Sequence, residues 1–307
     1  MMRQVVLMVG HGSRVPQAIA QFHEFADALA ERIGQRIERC FLELADPDMA
    51  TGIADAARLV GQGGEVIMLP LFIGGAAHQK NDVASAIQWA RHEFPGVTFH
   101  YATPLGFHAK LVELLDLRVR ERMQSLPGAL PAEETAVLVV GRGSSDPNAN
   151  GDIAKAAHML FEQRPYLTVE YAFQAVARPK PEEGIQRCHA LGAKQIVVAP
   201  FALFTGQVVE DIRRVTARAG ESFGVLVLQA HYLEKHPLLL DVAEQRLREA
   251  VEGTAAMNCD LCKYRFPMAG YEHQVGLPQT THHLHGGAAH PDNDYERNDE
   301  PETGSDG

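Results

Sequence analysis

The chain has 307 residues, 46% of them hydrophobic and 22% charged, which is enough for two domains with a sizeable core. The formal net charge is −11, but residues 291–307 alone hold seven acidic residues and one arginine, so nucleic acid is not an expected partner. There is no run of 18 apolar residues, no signal-peptide pattern, and only four cysteines. We therefore expect a cytoplasmic protein with no membrane partner and no disulfide framework.

The first part of the chain alternates short apolar runs with helical patterns. Residues 5–9 (VVLMV) have the composition of a buried strand, and they end in a glycine turn that contains His11. A helical pattern follows over residues 16–33, with proline at its start. Further strands are predicted at residues 36–44, 65–72 and 97–102, with helices ending near residues 60, 93 and 123. This alternation predicts an α/β fold, a parallel sheet with helices on both faces.

The same pattern then repeats after a linker at residues 126–133. The motif GHGSR at 10–14 has a counterpart in GRGSS at 141–145, and FLELADP at 41–47 has one in FQAVARP at 173–179. The run VIMLPLFI at 66–73 likewise has a counterpart at 195–204. Offsets of 130 to 132 residues indicate an internal duplication. We predict two lobes of about four strands each, residues 1–126 and 134–252, facing each other across a cleft, and a disordered tail at 253–307.

The two copies differ at three polar positions. The second copy has Arg142 in place of His11, Ala175 in place of Glu43, and Val208 or Gln207 in place of His78. A copied scaffold would tend to keep its scaffold residues. We therefore interpret the three polar residues as belonging to one task that only the first lobe performs.

These three residues follow predicted strands, so parallel strands would bring them to one edge of the sheet. Two imidazoles and a carboxylate suit a divalent first-row metal with open coordination positions, and neutral imidazole is also a base near pH 7. The alternatives are that His11 is incidental in a phosphate-type turn and that His78 simply begins a helix.

The motifs GHGSR, FLELADP and PLFIGGAAH, in this order and spacing, resemble the sirohydrochlorin cobaltochelatases of the CbiX type, which are class II tetrapyrrole chelatases. The resemblance covers residues 1–252 and continues into the tail. It implies a lyase-class enzyme that inserts Co(II) into sirohydrochlorin during cobalamin biosynthesis. No nucleotide would be needed, and the sequence contains no GxxxxGK[ST] phosphate-binding motif.

The resemblance also implies residue roles. His11 matches the proton acceptor and metal ligand of the family, His78 matches its second metal ligand, and Glu43 matches an acidic position. Asp46 matches a position that contacts the substrate. The loop that lies along the tetrapyrrole is matched by Ile73, Gly74, Gly75, Ala76 and Ala77.

Basic groups are expected at the rim of such a site because the substrate carries eight carboxylates. The basic residues near the predicted strand ends are Arg14, Lys80, Arg142, Arg178, Lys180 and Arg213. For each of them, a solvated surface charge is the alternative.

The tail carries two further motifs. Cys259 and Cys262 form the MxCxxC pattern that the long form of the family associates with an iron–sulfur cluster. Two cysteines cannot fill four cluster positions, so a cluster would need other ligands or a second chain, and a redox pair and a zinc half-site are the alternatives. Five of the 15 histidines also fall here, and they predict metal capture or storage by a flexible segment: His273, His282, His283, His285 and His290.

Two other functions compete with cobalt insertion. Cobalt and iron differ little in ligand preference, so a ferrochelatase making sirohaem is the nearest alternative. A metal-storage or metal-delivery protein would make the tail the functional part, although storage gives no reason to lose the histidines from one lobe only. The oligomeric state is open, with a homodimer among the options.

Overall fold

The computed structural model describes residues 3–76 and 78–255, together with residues 273 and 275, and only the backbone at 78, 79, 220 and 221. Two parallel four-stranded sheets, with strand orders β2-β1-β3-β4 and β6-β5-β7-β8, confirm the predicted duplicated α/β fold. The first sheet consists of β1 (Gln4–Gly10), β2 (Ile37–Phe41), β3 (Glu65–Pro70) and β4 (Thr98–Tyr101). The second consists of β5 (Thr135–Gly141), β6 (Thr168–Phe173), β7 (Gln195–Pro200) and β8 (Leu226–Gln229).

Each strand is followed by a helix. In chain order the helices are α1 (Pro16–Ile33), α2 (Met49–Val60), α3 (Ala84–Glu93), α4 (Ala109–Gln124), α5 (Pro147–Gln163), α6 (Pro181–Ala190), α7 (Gln207–Phe223) and α8 (Pro237–Val251). A π-helical turn, His78–Val83, precedes α3, and a 3₁₀ turn, Ala132–Glu134, precedes β5.

Helix α1 shows how local sequence sets these bounds. Pro16 stands in its first turn, where its missing N–H is not needed, and Gly34 ends the helix in the left-handed conformation at φ 62°. Phe22, Phe25 and Leu29 lie on one buried stripe at helical spacing. These signals are all local, which explains why residues 16–33 could be predicted from the sequence.

The elements stack in five layers. Helices α2 and α3 cover the outer face of the first sheet, and α6 and α7 cover the outer face of the second. The four remaining helices lie between the two sheets. Alternate residues of the central strands, such as Val6 and Met8 in β1 and Val137 and Val139 in β5, point into this shared interior.

The last helix of each lobe packs on the opposite sheet. Helix α4, from the first lobe, contacts β7, whereas α8, from the second lobe, contacts β3 and β4. Leu239 and Val242 of α8 and Leu111 and Leu115 of α4 are all buried in the shared core. Each lobe therefore depends on the other to cover one face of its sheet.

The strand register repeats between the lobes. In the first sheet Val6 lies opposite Ile37 and Ile67, and in the second sheet Val137 lies opposite Val169 and Val197. These residues are offset by 131, 132 and 130 positions, which matches the duplication expected from the motifs. The copies are therefore superimposable strand by strand.

Two predicted bounds are wrong in detail. The second strand ends at Phe41 rather than near residue 44, because Leu44 adopts the left-handed conformation at φ 61° and turns the chain. The helical pattern after the glycine loop begins with the π-helical turn, and regular α-helix starts only at Ala84.

Candidate active site

The candidate site lies at the carboxyl edge of the first sheet. Strands β1 and β3 are neighbours there, but α1 leaves β1 on the inner face of the sheet whereas α3 leaves β3 on the outer face. Diverging connections of this kind open a crevice between the two strand ends, where ligands bind in open α/β sheets. His11 follows β1 directly, and the loop that follows β3 lies beside it.

Backbone hydrogen bonds hold His11 next to Glu43. The N–H of Leu42 donates to the carbonyl of Gly10 at 2.9 Å, and the N–H of Glu43 donates to the carbonyl of His11 at 3.1 Å. The pairing of β1 with β2 thus continues past the strand ends and carries both side chains to the same place.

Gly12 makes this close approach sterically feasible. Its φ is +89°, and a Cβ at this position would lie 1.7 Å from the carbonyl oxygen of Glu43. Only glycine fits, since any side chain would meet backbone that cannot move aside. The glycine next to His11 therefore serves the contact with Glu43, in addition to the turn itself.

The side chains of His11 and Glu43 face each other across a gap. Nδ1 of His11 lies 3.6 Å from Oε1 of Glu43, and the two side chains are 33% and 34% exposed. This separation is long for a hydrogen bond, but it suits two ligands of one metal with bonds of about 2.1 Å at an angle of roughly 110–120°. Nε2 of His11 is buried, so Nδ1 is the nitrogen on the side of the carboxylate.

The structure leaves the third predicted ligand open. His78 is the first residue of the π-helical turn, but its side chain is outside the described part of the molecule. Among the described side chains, no group of three or more His, Cys, Asp or Glu is gathered as a metal site. The meeting of both imidazoles at one ion stays a prediction.

The loop after β3 passes beside the end of β1 and then contacts the second lobe. The N–H of Leu71 donates to the carbonyl of Val9 at 2.9 Å, which places the loop directly beside the strand that ends at His11. A Cβ at Gly74 would lie 3.1 Å from the Cβ of Ala149 in α5. Ile73, Gly74, Gly75 and Ala76 thus lie between the candidate metal site and the second lobe, whereas Ala77 is outside the described residues.

Asp46 lies on the segment that follows Glu43, where it is exposed. Its peptide bond to Pro47 is cis, and the carbonyl of Pro47 accepts a hydrogen bond from the N–H of Phe41 at 2.9 Å. The carboxylate therefore belongs to the same edge of the sheet as His11, although its contact with a substrate is untested.

The second lobe reproduces this backbone without its polar groups. The N–H of Ala175 donates to the carbonyl of Arg142 at 2.7 Å, so these residues correspond to Glu43 and His11. Gly143 has φ +86°, Val176 has φ 52°, and the Arg178–Pro179 bond is cis, as in the first lobe. The geometry is duplicated, whereas the imidazole and the carboxylate are present only once.

One buried pair of residues next to this loop was not predicted from the sequence. Lys80, interpreted as a rim cation or a surface charge, is 5% exposed and forms an ion pair with Asp146 of the second lobe at 2.8 Å. Aspartate followed by proline, as at 146–147, is typical of a helix start, but nothing in the sequence links it to Lys80. Asn81 and Asp82 in the same turn are also buried.

The other basic residues near the strand ends are more exposed. Arg178 pairs with Glu183 and Arg213 pairs with Glu210, and all four are charges on the surface of the second lobe. Arg14 and Arg142 are exposed, and they stay candidates for substrate carboxylates.

The two described cysteines, Cys40 and Cys188, are buried within the lobes. Burial raises the pKa of the Cys40 thiol far above its usual range and that of Cys188 to about 12. Burial therefore disfavours the thiolate, the form that binds metals, at both positions. The predicted tail ligands Cys259, Cys262, His282, His283 and His285 lie outside the described residues. Within the described residues, no helix is long and apolar enough to cross a membrane.

Comparison with known proteins gives a consistent result for both lobes. The family model CbiX matches residues 5–122 and again residues 136–250, so the duplication is also seen at the level of the family.

Three proteins illustrate the similarity. A sirohydrochlorin cobaltochelatase of Priestia megaterium is 36% identical, covering 85% of this chain and 84% of the relative. A sirohydrochlorin ferrochelatase of the same organism is 30% identical, covering 79% of this chain and 89% of the relative. The solved structure of SirB from Bacillus subtilis with Fe3+ has a TM-score of 0.72 at 28% identity, covering 84% of this chain and 100% of that one.

Proposed function

The chain belongs to the CbiX family, and from this premise we propose that it is a sirohydrochlorin chelatase that inserts Co(II) without ATP, on the way to cobalamin. The observation that carries the proposal is the pairing of His11 with Glu43 at 3.6 Å, at the carboxyl edge of the first sheet and absent from the second lobe. A site with so few protein ligands keeps coordination positions for the nitrogens of a macrocycle.

In the proposed reaction His11 and Glu43 hold the divalent ion together, with His78 as a further ligand. The ion enters as a substrate and leaves in the macrocycle, so its protein ligands must be few and readily exchanged. A site on one edge of a sheet meets this need better than a closed four-ligand site, which would retain the metal.

Proton transfer is the second part of the chemistry. Insertion of M²⁺ replaces two inner N–H protons of the macrocycle, so two protons must leave for each metal bound. His11 is proposed to accept them one at a time as its bond to the metal is released, and to pass each to solvent, because a neutral imidazole is a base near pH 7 that takes up a single proton. Glu43, facing Nδ1, would stabilise the imidazolium that forms.

Substrate binding is proposed to use the loop after β3 and Asp46. Gly74, Gly75 and Ala76 present backbone and small side chains, which would let a large flat ring approach closely. Exposed Arg14 and Arg142 lie on the two lobes, and either could meet peripheral carboxylates of the ring.

The choice of cobalt rests on similarity alone. The cobaltochelatase relative is 36% identical and the ferrochelatase relative 30%. A carboxylate and imidazoles bind both ions, so insertion of Fe(II) to give sirohaem is the alternative.

The tail is proposed to serve metal supply rather than chemistry. Its MxCxxC motif, Cys259 and Cys262, is the candidate cluster site, and His282, His283 and His285 are candidate capture ligands. Truncation after residue 252 should keep turnover at saturating Co(II), and replacing the five tail histidines by alanine should slow insertion only when buffered Co(II) is scarce. Coincident rate curves at every Co(II) concentration would contradict the supply role.

An anaerobic assay tests the main proposal. Purified full-length protein is mixed with sirohydrochlorin and either Co(II) or Fe(II), and insertion is followed by absorbance, with the His11→Ala variant as the inactive control. Faster insertion of Co(II) is the expected result. Faster insertion of Fe(II) would favour the ferrochelatase, and metal binding without any insertion would favour a storage or delivery protein.

A further inference from the structure

The loop that follows β3 is held in place from the opposite lobe. Lys80, in the turn His78–Val83, places its Nζ 2.8 Å from Oδ2 of Asp146, and the two side chains are 3% and 1% exposed. Asp146 is the N-cap of α5, and its other oxygen accepts a hydrogen bond from the N–H of Asn148 at 3.0 Å. One carboxylate thus joins the turn of the first lobe to the first turn of a helix in the second lobe.

The glycine end of the loop also packs against α5. Gly74 lies against Ala149, one turn into α5, at a distance that leaves a Cβ only 3.1 Å of room. Asn81 and Asp82, which follow Lys80, are each 1% exposed. The segment from Gly74 to Lys80, which contains His78, therefore contacts the second lobe at both of its ends.

The Lys80–Asp146 ion pair has no counterpart in the other copy of the duplication. The N–H of Lys80 donates to the carbonyl of Ala76 as that of Glu210 donates to Gly206, so Lys80 corresponds to Glu210. Glu210 is exposed and pairs with Arg213 on its own helix.

Asp146 also lacks a polar counterpart in the other copy. The N–H of Asp146 donates to Ser144 at 3.0 Å, and the N–H of Val15 donates to Ser13 at 3.0 Å, so Asp146 corresponds to Val15. Valine offers α1 no side-chain cap and could accept nothing from a lysine.

The second lobe anchors its own loop in another way. The ring of Phe204 packs on the rings of Phe22 and Phe25 in α1, and the N–H of Thr205 donates to Oε1 of Gln21 at 2.9 Å. Gly74 stands where the second lobe has Phe204, at the offset of 130 residues that relates β3 to β7. The first lobe lacks this apolar anchor and has a buried ion pair instead.

Stability alone does not account for such a pair. Burying two charges removes their hydration, which offsets most of their attraction, so a buried ion pair adds little net stability while it fixes geometry closely. We propose that Asp146 and Lys80 are positioning residues, through which the second lobe holds the turn that presents His78 to the metal site of His11 and Glu43. This inference rests on the proposed function for the roles of those three ligands.

Co(II) affinity in the absence of tetrapyrrole is the sharpest test. The d–d absorbance of Co(II) gives its Kd for the full-length protein and for Asp146→Asn, which keeps the cap of α5 but removes the charge. We expect the Kd to rise about tenfold, the lower range for loss of a residue that orients a metal ligand. The double variant Lys80→Met/Asp146→Asn should show the same rise with a Tm near that of the wild type, because it leaves no unpaired buried charge.

A double-mutant cycle identifies the route of the effect. If Asp146 acts through His78, Asp146→Asn should change the Kd less than about twofold once His78→Ala is present. The inference would be overturned if the two substitutions raised the Kd independently, so that their fold-changes multiply, or if Asp146→Asn left the Kd unchanged. The control is Asp241→Asn in α8, which removes the ion pairs of Asp241 with Lys110 of α4, at 2.7 Å, and with Arg32 of α1, and should leave the Kd unchanged.

The outcomes also separate this inference from the proposed function. A wild-type protein that inserts neither Co(II) nor Fe(II) contradicts the proposed function, whatever the cycle shows. A wild-type protein that inserts metal, combined with independent effects of Asp146 and His78, contradicts the positioning role alone.

Discussion

His11 in the first lobe and Arg142 in the second occupy the same backbone position. Each follows the central strand of its sheet, precedes a glycine at φ +89° or +86°, and accepts a hydrogen bond from the segment after the neighbouring strand. The shared geometry shows that the turn itself needs neither imidazole nor carboxylate. The turn therefore does not require the polar pair of the first lobe, which supports the metal-binding role proposed for it.

The second lobe lost that pair but kept other tasks. It supplies α8 to cover the first sheet, and it supplies Asp146 to hold the loop that carries His78. A duplicated lobe without ligands of its own can thus still shape the site of its partner lobe.

Among the substitutions that test this difference between the lobes, the one at the end of β1 should change metal insertion most. His11→Ala should lower the rate of metal insertion at least 100-fold, because it removes both a ligand and the proposed base. Arg142→Ala, at the duplicate position, should leave Co(II) affinity unchanged and alter only the KM for the tetrapyrrole. Comparable losses of Co(II) affinity in both variants would place the metal between the lobes and break the contrast.

Glu43→Gln gives the next largest effect. The amide keeps the size of the side chain but loses the charge that faces Nδ1 of His11, so metal affinity should fall about 10- to 100-fold. Titration with Co(II) measures this change. Ala175→Gln, which places the same amide at the duplicate position, should bind Co(II) as the wild type does.

The two turn glycines separate stability from activity. Gly12→Ala and Gly143→Ala each force a Cβ against a backbone carbonyl at positive φ, so each should lower the free energy of unfolding by about 2 kcal/mol or more. Urea unfolding measures this loss. Only Gly12→Ala should also reduce insertion at a temperature where both variants are folded, because only that turn carries His11 and Glu43.

The smallest effect, a change in the pH dependence of stability, is expected at a histidine helix cap that both lobes have. His108 caps α4 and His236 caps α8, each by accepting a backbone N–H at Nδ1, and burial lowers the pKa of both imidazoles below 6.5. Their neutral forms are favoured in the folded state, so their contribution is present above pH 6.5 and is lost as the pH falls through their folded pKa values.

Replacing both caps with asparagine should therefore reduce the acid sensitivity of the protein. Asparagine accepts the same hydrogen bond at every pH, and each cap is worth about 1 kcal/mol, or roughly 2–4 °C in Tm. Thermal unfolding at pH 5 and pH 7.5 measures the difference. An equal fall of Tm in the wild type and the His108→Asn/His236→Asn variant would exclude the caps as its cause.

Much of the fold could be predicted because its signals are local. The run at 5–9, the proline and glycine at the ends of α1, and the repeat of GHGSR as GRGSS each depend on neighbouring residues or on simple comparison of two segments. The same comparison singled out His11, Glu43 and His78, since strand ends at one edge of a parallel sheet must lie together.

The tertiary structure alone decided which distant groups meet. Lys80 and Asp146 are 66 positions apart and belong to different lobes, and no sequence pattern indicates that α4 and α8 each pack on the sheet of the other lobe. The 3.6 Å between His11 and Glu43 likewise depends on the close approach of two backbones at Gly12. Periodicity and caps report the conformation of a segment, whereas these contacts depend on how whole lobes pack, which is set by the sum of many buried contacts.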